Sequence, residues 1–596
     1  MDKKTLLAFI LCAIITLYMV QFIQPSPPPP PTTEEEGKEE HVEEKTVVKE
    51  KSGPEKEGKA EEQEKKITIV QEEIDLRNNI LIQNDVIMAV LTNEGAALKS
   101  VALTKFVDPG KIEILELLRP NREDQLPLSI KLLDEDFQLN RRRYEIAEQR
   151  ENKIVFTALL ENGLRVTKSI SLEYGKYHFD IVITFENTSN SNATLAYTIN
   201  SSSGIYPEVD SGVYAIGLAS VVGIDVGRGK VKLARTELKE MPDKNESVGI
   251  SWAGAVNKYF ASVLISSSSE RIAAAASVPA ENPDPLYKDD FIVDLQTKRT
   301  TIIPQGKEQH DYVLFLGPKK ESILKEYDGL LVLLEYGWTT SICKILIKIL
   351  NFFYGLIPNY GIAILLLTVL VKLILFPLTR KSQMSMFKMQ QLQPLISKLK
   401  EKHKGDKQRM GQEQMKMFKQ HGVNPMSGCM PILLQMPVFF ALFRTLQLSF
   451  EMRQTPFVLW ISDLSKPDTL VQLPFTIPFL GDGLNILPII MGIASFVQMK
   501  LTPKTFSGDD PQARMQQRMM QMMPIIFPFI LYTMPSGLTL YWTTSTLISI
   551  GEQMFIRRSI KKVDIYYKGK RIIEDKDKDK GKSIQKSKSK KNTKTK

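Results

Sequence analysis

The stretch YGIAILLLTVLVKLILFPL, Tyr360–Leu378, decides how the rest of the chain is read. A helix of this length rises about 28 Å, close to the roughly 30 Å hydrocarbon core of a bilayer. It is apolar enough to cross, yet Lys372 stands inside it. A lysine ammonium there costs about 2.5–3.5 kcal/mol on insertion scales. The polar side begins at Arg380, so Lys372 lies roughly 12 Å from that edge. Its stem can snorkel only part of that way. Two readings follow: a snorkelling lysine that sets the depth of the span, or a charge facing a wet cavity inside the membrane.

Other apolar runs repeat the pattern. Residues 1–23 read as an uncleaved anchor, with Lys3 and Lys4 inside and no small-x-small cleavage site. Spans are expected at 360–378, 425–448 and 484–501. The run Met519–Phe555 is about twice one crossing, and the MPSG turn at Met534–Gly537 divides it into 517–534 and 536–556. The expectation is a polytopic α-helical membrane protein of six spans, with its core at 358–556. Six crossings put the 380–421 loop, with 11 Lys/Arg against 3 Asp/Glu, on the side of Lys3 and Lys4. The loop around 449–484, whose only basic residues are Arg453 and Lys466, falls outside, as the positive-inside bias requires.

Between the anchor and the core the chain changes character twice. Residues 24–66 hold 13 Glu, 8 Lys and a polyproline run, which predicts a disordered tether. From 67 to 320 short β-rich runs such as GLRVTKSISL and YHFDIVITFENTS alternate apolar and polar residues, which predicts an all-β sandwich. The segment 337–353 has helical apolar spacing, with Lys344 and Lys348 on one face, and reads as an interfacial amphipathic helix. The 381–421 segment reads as two helices broken near HKGD. The tail 557–596 carries 17 Lys/Arg against 5 Asp/Glu and should seek an anionic partner.

Catalytic chemistry is not legible. Among five His there is no HExxH, no phosphate loop, no GxSxG, and the three Cys suit neither a disulfide framework nor a zinc site. No enzyme, catalytic residue, cofactor or metal is expected. Polar residues on other spans, Gln435, Ser495, Gln498 and Thr543 to Thr546, could share a cavity with Lys372, and Glu552 could be its counter-charge. Of 23 Met, 19 lie between Met384 and Met554, which suits either ordinary helix packing or a face that accepts varied apolar helices. A solute channel would need polar residues toward the outer face, where NYGIAILLL is almost wholly apolar. A carbohydrate-active enzyme would need a His and a carboxylate converging in a cleft, and none can be identified.

The stretch Gln391–Phe443, with Asn424-Pro425, Gly428-Cys429, Pro431, Gln435 and Pro437, closely resembles the YidC-type membrane protein insertases. FPLT at Phe376–Thr379, PFVLWISDLS and PSGLTLYW fit the same family, and SWAGAVNKYFASVLI and LFLGPKK are similar to the periplasmic domain of its Gram-negative form. The resemblance implies a periplasmic β-supersandwich, a five-span insertase core and a hydrophilic groove open to cytoplasm and lipid. It implies that Lys372, where the family usually has Arg, is the groove charge. It implies substrate contacts at Met436, Phe439, Met491, Ile530 and Trp542, the last in place of the usual Tyr. The implied partners are nascent membrane proteins, the Sec translocon, the lipid bilayer and the signal recognition particle receptor. The ribosome is a further implied partner, through the tail and the 381–421 hairpin. The implied location is the bacterial inner membrane, with both termini cytoplasmic and the β-domain periplasmic.

Overall fold

A computed structural model describes residues 79–108, 113–120, 125–133, 139–208, 218–225, 231–235, 249–279, 290–334, 336–403, 406–424, 430–477, 480–502, 522, 526–559, 566–567 and 570–571. The expected anchor 1–23, the tether 24–66, the first five residues of the 425–448 span, residues 517–521 and 523–525 of the 517–534 span, and nearly all of the tail lie outside them. So does the expected start of the β-domain at 67.

The β-domain is built from antiparallel sheets. A nine-stranded sheet runs in spatial order Val231–Arg235, Ala219–Asp225, Gly249–Val256, Phe260–Ser266, Lys307–Pro318, His178–Asn187, Leu164–Leu172, Lys153–Leu159 and Glu145–Arg150. Two four-stranded sheets add Asn79–Gln83 through Ile114–Leu118, and a group around Tyr197–Ser202. Strand His178–Asn187 alternates buried and half-buried residues along its whole length, as period-2 patterning demands when one face is packed. The buried residues Ile82, Val101, Ile130, Phe156, Phe185, Ile199 and Val293, drawn from all three sheets, join one core.

The helical region begins with a 3₁₀ turn at Gly337–Thr339 and helix α1, Thr340–Leu356. Its buried stripe is Cys343, Leu346, Ile347 and Leu350, while Ile345, Phe352 and Leu356 are exposed. A helix therefore occupies the expected 337–353 segment, ending three residues later than 353. Helix α2, Tyr360–Gln391, is unbroken, so the first residues of the 381–421 segment continue the helix of the expected 360–378 span. Pro377 removes one backbone donor without ending the helix, and Arg380 and Lys381 are good helix formers. At about 48 Å, α2 outruns the hydrocarbon and carries the chain into α3, Gln393–Lys402, and α4, Lys407–Gln420. This α3/α4 pair packs on its own small core of Met389, Leu392, Leu395, Ile396, Phe418 and Val423.

Helices α5, Met430–Leu448, α6, Ile486–Leu501, and α7, Ser536–Ser559, complete the described bundle. Residues 484–485 begin no helix: they end a strand, Gly481–Asn485, paired with Thr469–Ile477. That ribbon corrects the reading of 449–484 as loop. By length and apolarity two helices among the described residues could cross a membrane, Gly337–Leu356 and Tyr360–Gln391.

Candidate functional site: an inward-facing lysine and an aromatic cluster

Lys372 turns inward from α2 while its neighbours Leu373 and Ile374 are 65% and 66% exposed. Its Nζ donates to Ser549 Oγ on α7 at 2.6 Å, and that hydroxyl donates to the Ser545 carbonyl one turn back at 2.9 Å. Glu552, three residues beyond Ser549, acts on Lys372 electrostatically but forms no direct ion pair with it. One Glu552 carboxylate oxygen is buried without a hydrogen-bond partner in the protein. Gln553, next to it, donates to Thr502 at the end of α6. Helices α2 and α7 thus bring Lys372 and Glu552 within electrostatic reach of each other, and the end of α6 is tied on through Thr502.

The other polar residues behave differently. Thr368, Thr543 and Thr544 return their hydroxyls to carbonyls four residues back, at 2.7 Å each. A Thr satisfied in this way demands no external partner. Gln435 donates to the Tyr541 hydroxyl and joins α5 to α7. Sequence reasoning missed Ser549. The signal was there: Ser545, Ser549 and Glu552 recur at helical spacing on one face.

Of the five apolar positions expected to touch substrate, two meet directly. Phe439 of α5 and Trp542 of α7 pack edge to face with centroids 5.0 Å apart. Phe527 completes the cluster, 4.3 Å from Trp542, and was not foreseen. Met436, one turn before Phe439, is 38% exposed, and Ile530, on the helical turn with Phe527, is 43% exposed. Met491 stands apart: it is fully buried in the helical core and offers no surface in this arrangement.

Comparison with known proteins then decides the family. A model described as 60Kd inner membrane protein matches residues 352–563, and one described as YidC periplasmic domain matches 79–349. A relative from Geotalea daltonii, named membrane protein insertase YidC, is 30% identical over 581 residues, covering 94% of this chain and 100% of its own. The chain belongs to the YidC family of membrane protein insertases. A second YidC insertase, from Syntrophus aciditrophicus, is 32% identical over 577 residues, 94% of this chain and 100% of that one. A solved structure of an active YidC insertase with its first transmembrane domain resolved aligns with a TM-score of 0.32 and 20% identity, over 80% of this chain and 92% of that chain. YidC proteins are inner membrane proteins, and the two family matches meet inside α1 of this one.

In this YidC chain the helix ends facing the β-domain are closed by residues 455–468. Asn359 caps α2 through the Ile362 N–H and also donates to the Phe457 carbonyl. The Phe457 ring lies so close to Gly361 that a Cβ there would overlap it. Asp468 accepts the Ile486 and Leu487 N–H groups of α6 at 3.1 and 2.6 Å, and the Trp460 indole N–H at 3.0 Å. A carboxylate at a helix N-terminus is favoured there, although burial pushes the Asp468 carboxyl above its ordinary value. Ser536 and Gly537 of α7 donate to the Lys466 and Leu464 carbonyls. One loop therefore caps three helices at one end, and Lys372 stands 12 residues along α2 from that end, against Ser549 of α7.

The same loop region is latched to the β-domain. Phe450 is 7% exposed among Phe106, Tyr259 and Phe260, with centroids 5.3, 6.0 and 5.4 Å away. Arg453 Nε donates to Glu208 at 2.7 Å with both side chains enclosed, and its guanidinium lies 5.2 Å from the Phe260 ring centre. Burial pushes the Glu208 carboxyl up, and Arg453 opposes it.

Proposed function

We propose that the chain inserts nascent membrane proteins into the inner membrane by holding a protonated Lys372 in a groove that is wet toward the α3/α4 end and shut at the β-domain end. The single observation that carries this is the Lys372 ammonium turned inward onto one hydroxyl, Ser549. An ammonium has three donors, so two remain for an acidic segment of a substrate. Attraction between opposite charges in a cavity less polar than water exceeds that in bulk. The substrate's polar segment is drawn part-way across, and its apolar helix leaves along the exposed Met436 and Ile530 beside the Phe439–Trp542 pair. Met491 would support this wall from behind.

The reading includes six spans with both termini cytoplasmic, the β-domain periplasmic and residues 67–320 as that domain. It includes recruitment of ribosomes by the basic 557–596 tail and the α3/α4 hairpin, and cooperation with the Sec translocon and the signal recognition particle receptor. The tail's net charge of +12, from 17 basic and 5 acidic residues, supports an electrostatic contact with ribosomal RNA that weakens steeply with salt. No step requires ATP, a metal or a cofactor.

The test uses a matched pair of substrates whose translocated segments are acidic or neutral. At equal protein level, Lys372→Arg should preserve insertion of both. Lys372→Ala should impair the acidic substrate, and Lys372→Glu should impair it further, with the neutral one less affected. Equal insertion of the acidic substrate by the parent chain and Lys372→Glu would refute the groove charge and leave the lysine as a depth anchor.

A further inference from the structure

The ribbon Thr469–Ile477 with Gly481–Asn485 has an unusual composition: no charged residue stands between Asp468 and Asp482. Leu470, Val471 and Phe475 are 50%, 51% and 60% exposed. A lone two-stranded ribbon is marginal in water. One with bare apolar side chains and unpaired edges calls for a covering surface. Its base is well held. Asn485 donates to the Tyr532 carbonyl at 2.7 Å and through its backbone to the Tyr532 hydroxyl at 3.0 Å, and that hydroxyl donates to the Gly483 carbonyl. The ribbon then runs without a break into α6.

Helix α6 explains what should cover it. Its residues Ile489, Ile493, Phe496 and Val497 are 45%, 63%, 47% and 42% exposed, an apolar stripe suited to acyl chains. Yet α6 has only 16 residues, a rise of about 24 Å against a core of roughly 30 Å. Such a deficit is met by thinning the bilayer or by neighbouring apolar groups. Leu470, Val471 and Phe475 stand on the ribbon that runs directly into the N-terminus of α6, and apolar groups there can make up the missing length. An added peptide strand is a poorer occupant, because Pro474 removes a backbone donor from the longer strand.

We infer that this ribbon lies in the headgroup–acyl boundary of the bilayer at the β-domain end of the helices, with Leu470, Val471 and Phe475 submerged in lipid. It acts as a float that sets the depth of the short helix α6. The inference rests on α6 being a membrane span.

The test measures depth in the full chain, with Cys12, Cys343 and Cys429 replaced by Ala, in liposomes of phosphatidylcholine and phosphatidylglycerol. A nitroxide is placed singly at Phe475→Cys, Leu470→Cys, Ile493→Cys as the lipid reference and Tyr174→Cys, 84% exposed on the β-domain, as the water reference. Each variant is first shown to retain insertion activity. Collision rates with oxygen and with a water-soluble nickel chelate are compared. The expected oxygen-to-nickel ratio at 475 and 470 is several-fold above that at 174 and below that at 493. Ratios equal to that at 174, with 493 in lipid, overturn the inference while leaving the span intact. A water-like ratio at 493 as well removes the span reading and the float together. Shielding of 475 and 470 from both reagents overturns the inference in favour of a protein cover.

Discussion

Two inward-facing lysines, one buried in the β-domain and one half-buried among the helices, are held in opposite ways. Lys168 sits in strand Leu164–Leu172 with no exposed surface, and its Nζ donates to the carbonyls of Leu128, Ala96 and Gly95 at 2.7, 2.9 and 3.3 Å. Three donors meet three acceptors. Two of those carbonyls belong to residues with side chains at positive φ, Ala96 at 46° and Leu128 at 70°. Such conformations cost about 1–3 kcal/mol each and persist only where surroundings hold them. Lys372, in contrast, meets a single hydroxyl among the described residues. A saturated buried cation is a structural tie, whereas an unsaturated one is free to take a ligand.

The strongest way to break the comparison is to remove the tie. Lys168→Met keeps the stem and strands three buried acceptors, at about 1–3 kcal/mol each. The β-domain should lose about 3–9 kcal/mol, read as a lower unfolding midpoint of the full chain in detergent. An unchanged midpoint would show that those carbonyls find other donors. The region between the two lysines comes next. Arg453→Met leaves Glu208 buried without its partner, a loss of about 3–5 kcal/mol. Hydrogen exchange around Val107 and residues 450–455 should rise, and adding Glu208→Gln should restore part of the protection.

Acidity sharpens the contrast at smaller scale. Burial pushes Lys168 down to about 7, from about 10.4 in an unfolded chain. Between these values the unfolded state binds more protons, so stability should rise with pH across that window, by up to about 1.4 kcal/mol per unit. The three carbonyls favour the ammonium and shrink this slope, and a slope equal to that of Lys168→Met would mean they cancel burial entirely. The smallest effect is expected at Ser549→Ala. It removes one hydrogen bond of about 0.5–1.5 kcal/mol net and leaves the charge in place. Insertion of an acidic substrate should fall far less than with Lys372→Ala. Equal loss would mean that Lys372 serves the α2–α7 contact rather than the substrate.

Much of this was readable in the chain. The lysine inside Tyr360–Leu378 announces itself because charge in an apolar run has no other explanation than function or depth. The strand patterning of the β-domain is visible because period-2 alternation is local. The parity of Val166, Lys168 and Ile170 even places Lys168 on the buried face. The ribbon at 469–485 escaped notice because Pro474 interrupts a run that otherwise alternates. The run of α2 past Leu378 is not legible in the sequence because polarity changes there while helix propensity does not: Arg380 and Lys381 support a helix as well as Leu378 does.

What the sequence by itself determined is where apolar and charged residues lie along the chain, and hence which helices are long and apolar enough to cross a bilayer and that Lys372 stands within one of them. Only the tertiary structure decided what each buried charge meets. The acceptors of Lys168 stand 40 to 73 residues away in sequence, the hydroxyl on Lys372 is 177 away, and Arg453 finds Glu208 across 245. Patterning acts over a few residues, through the pitch of a helix or the pleat of a strand. Partners so distant are set by how whole elements pack, and whether a buried cation is saturated or free is a property of that packing alone.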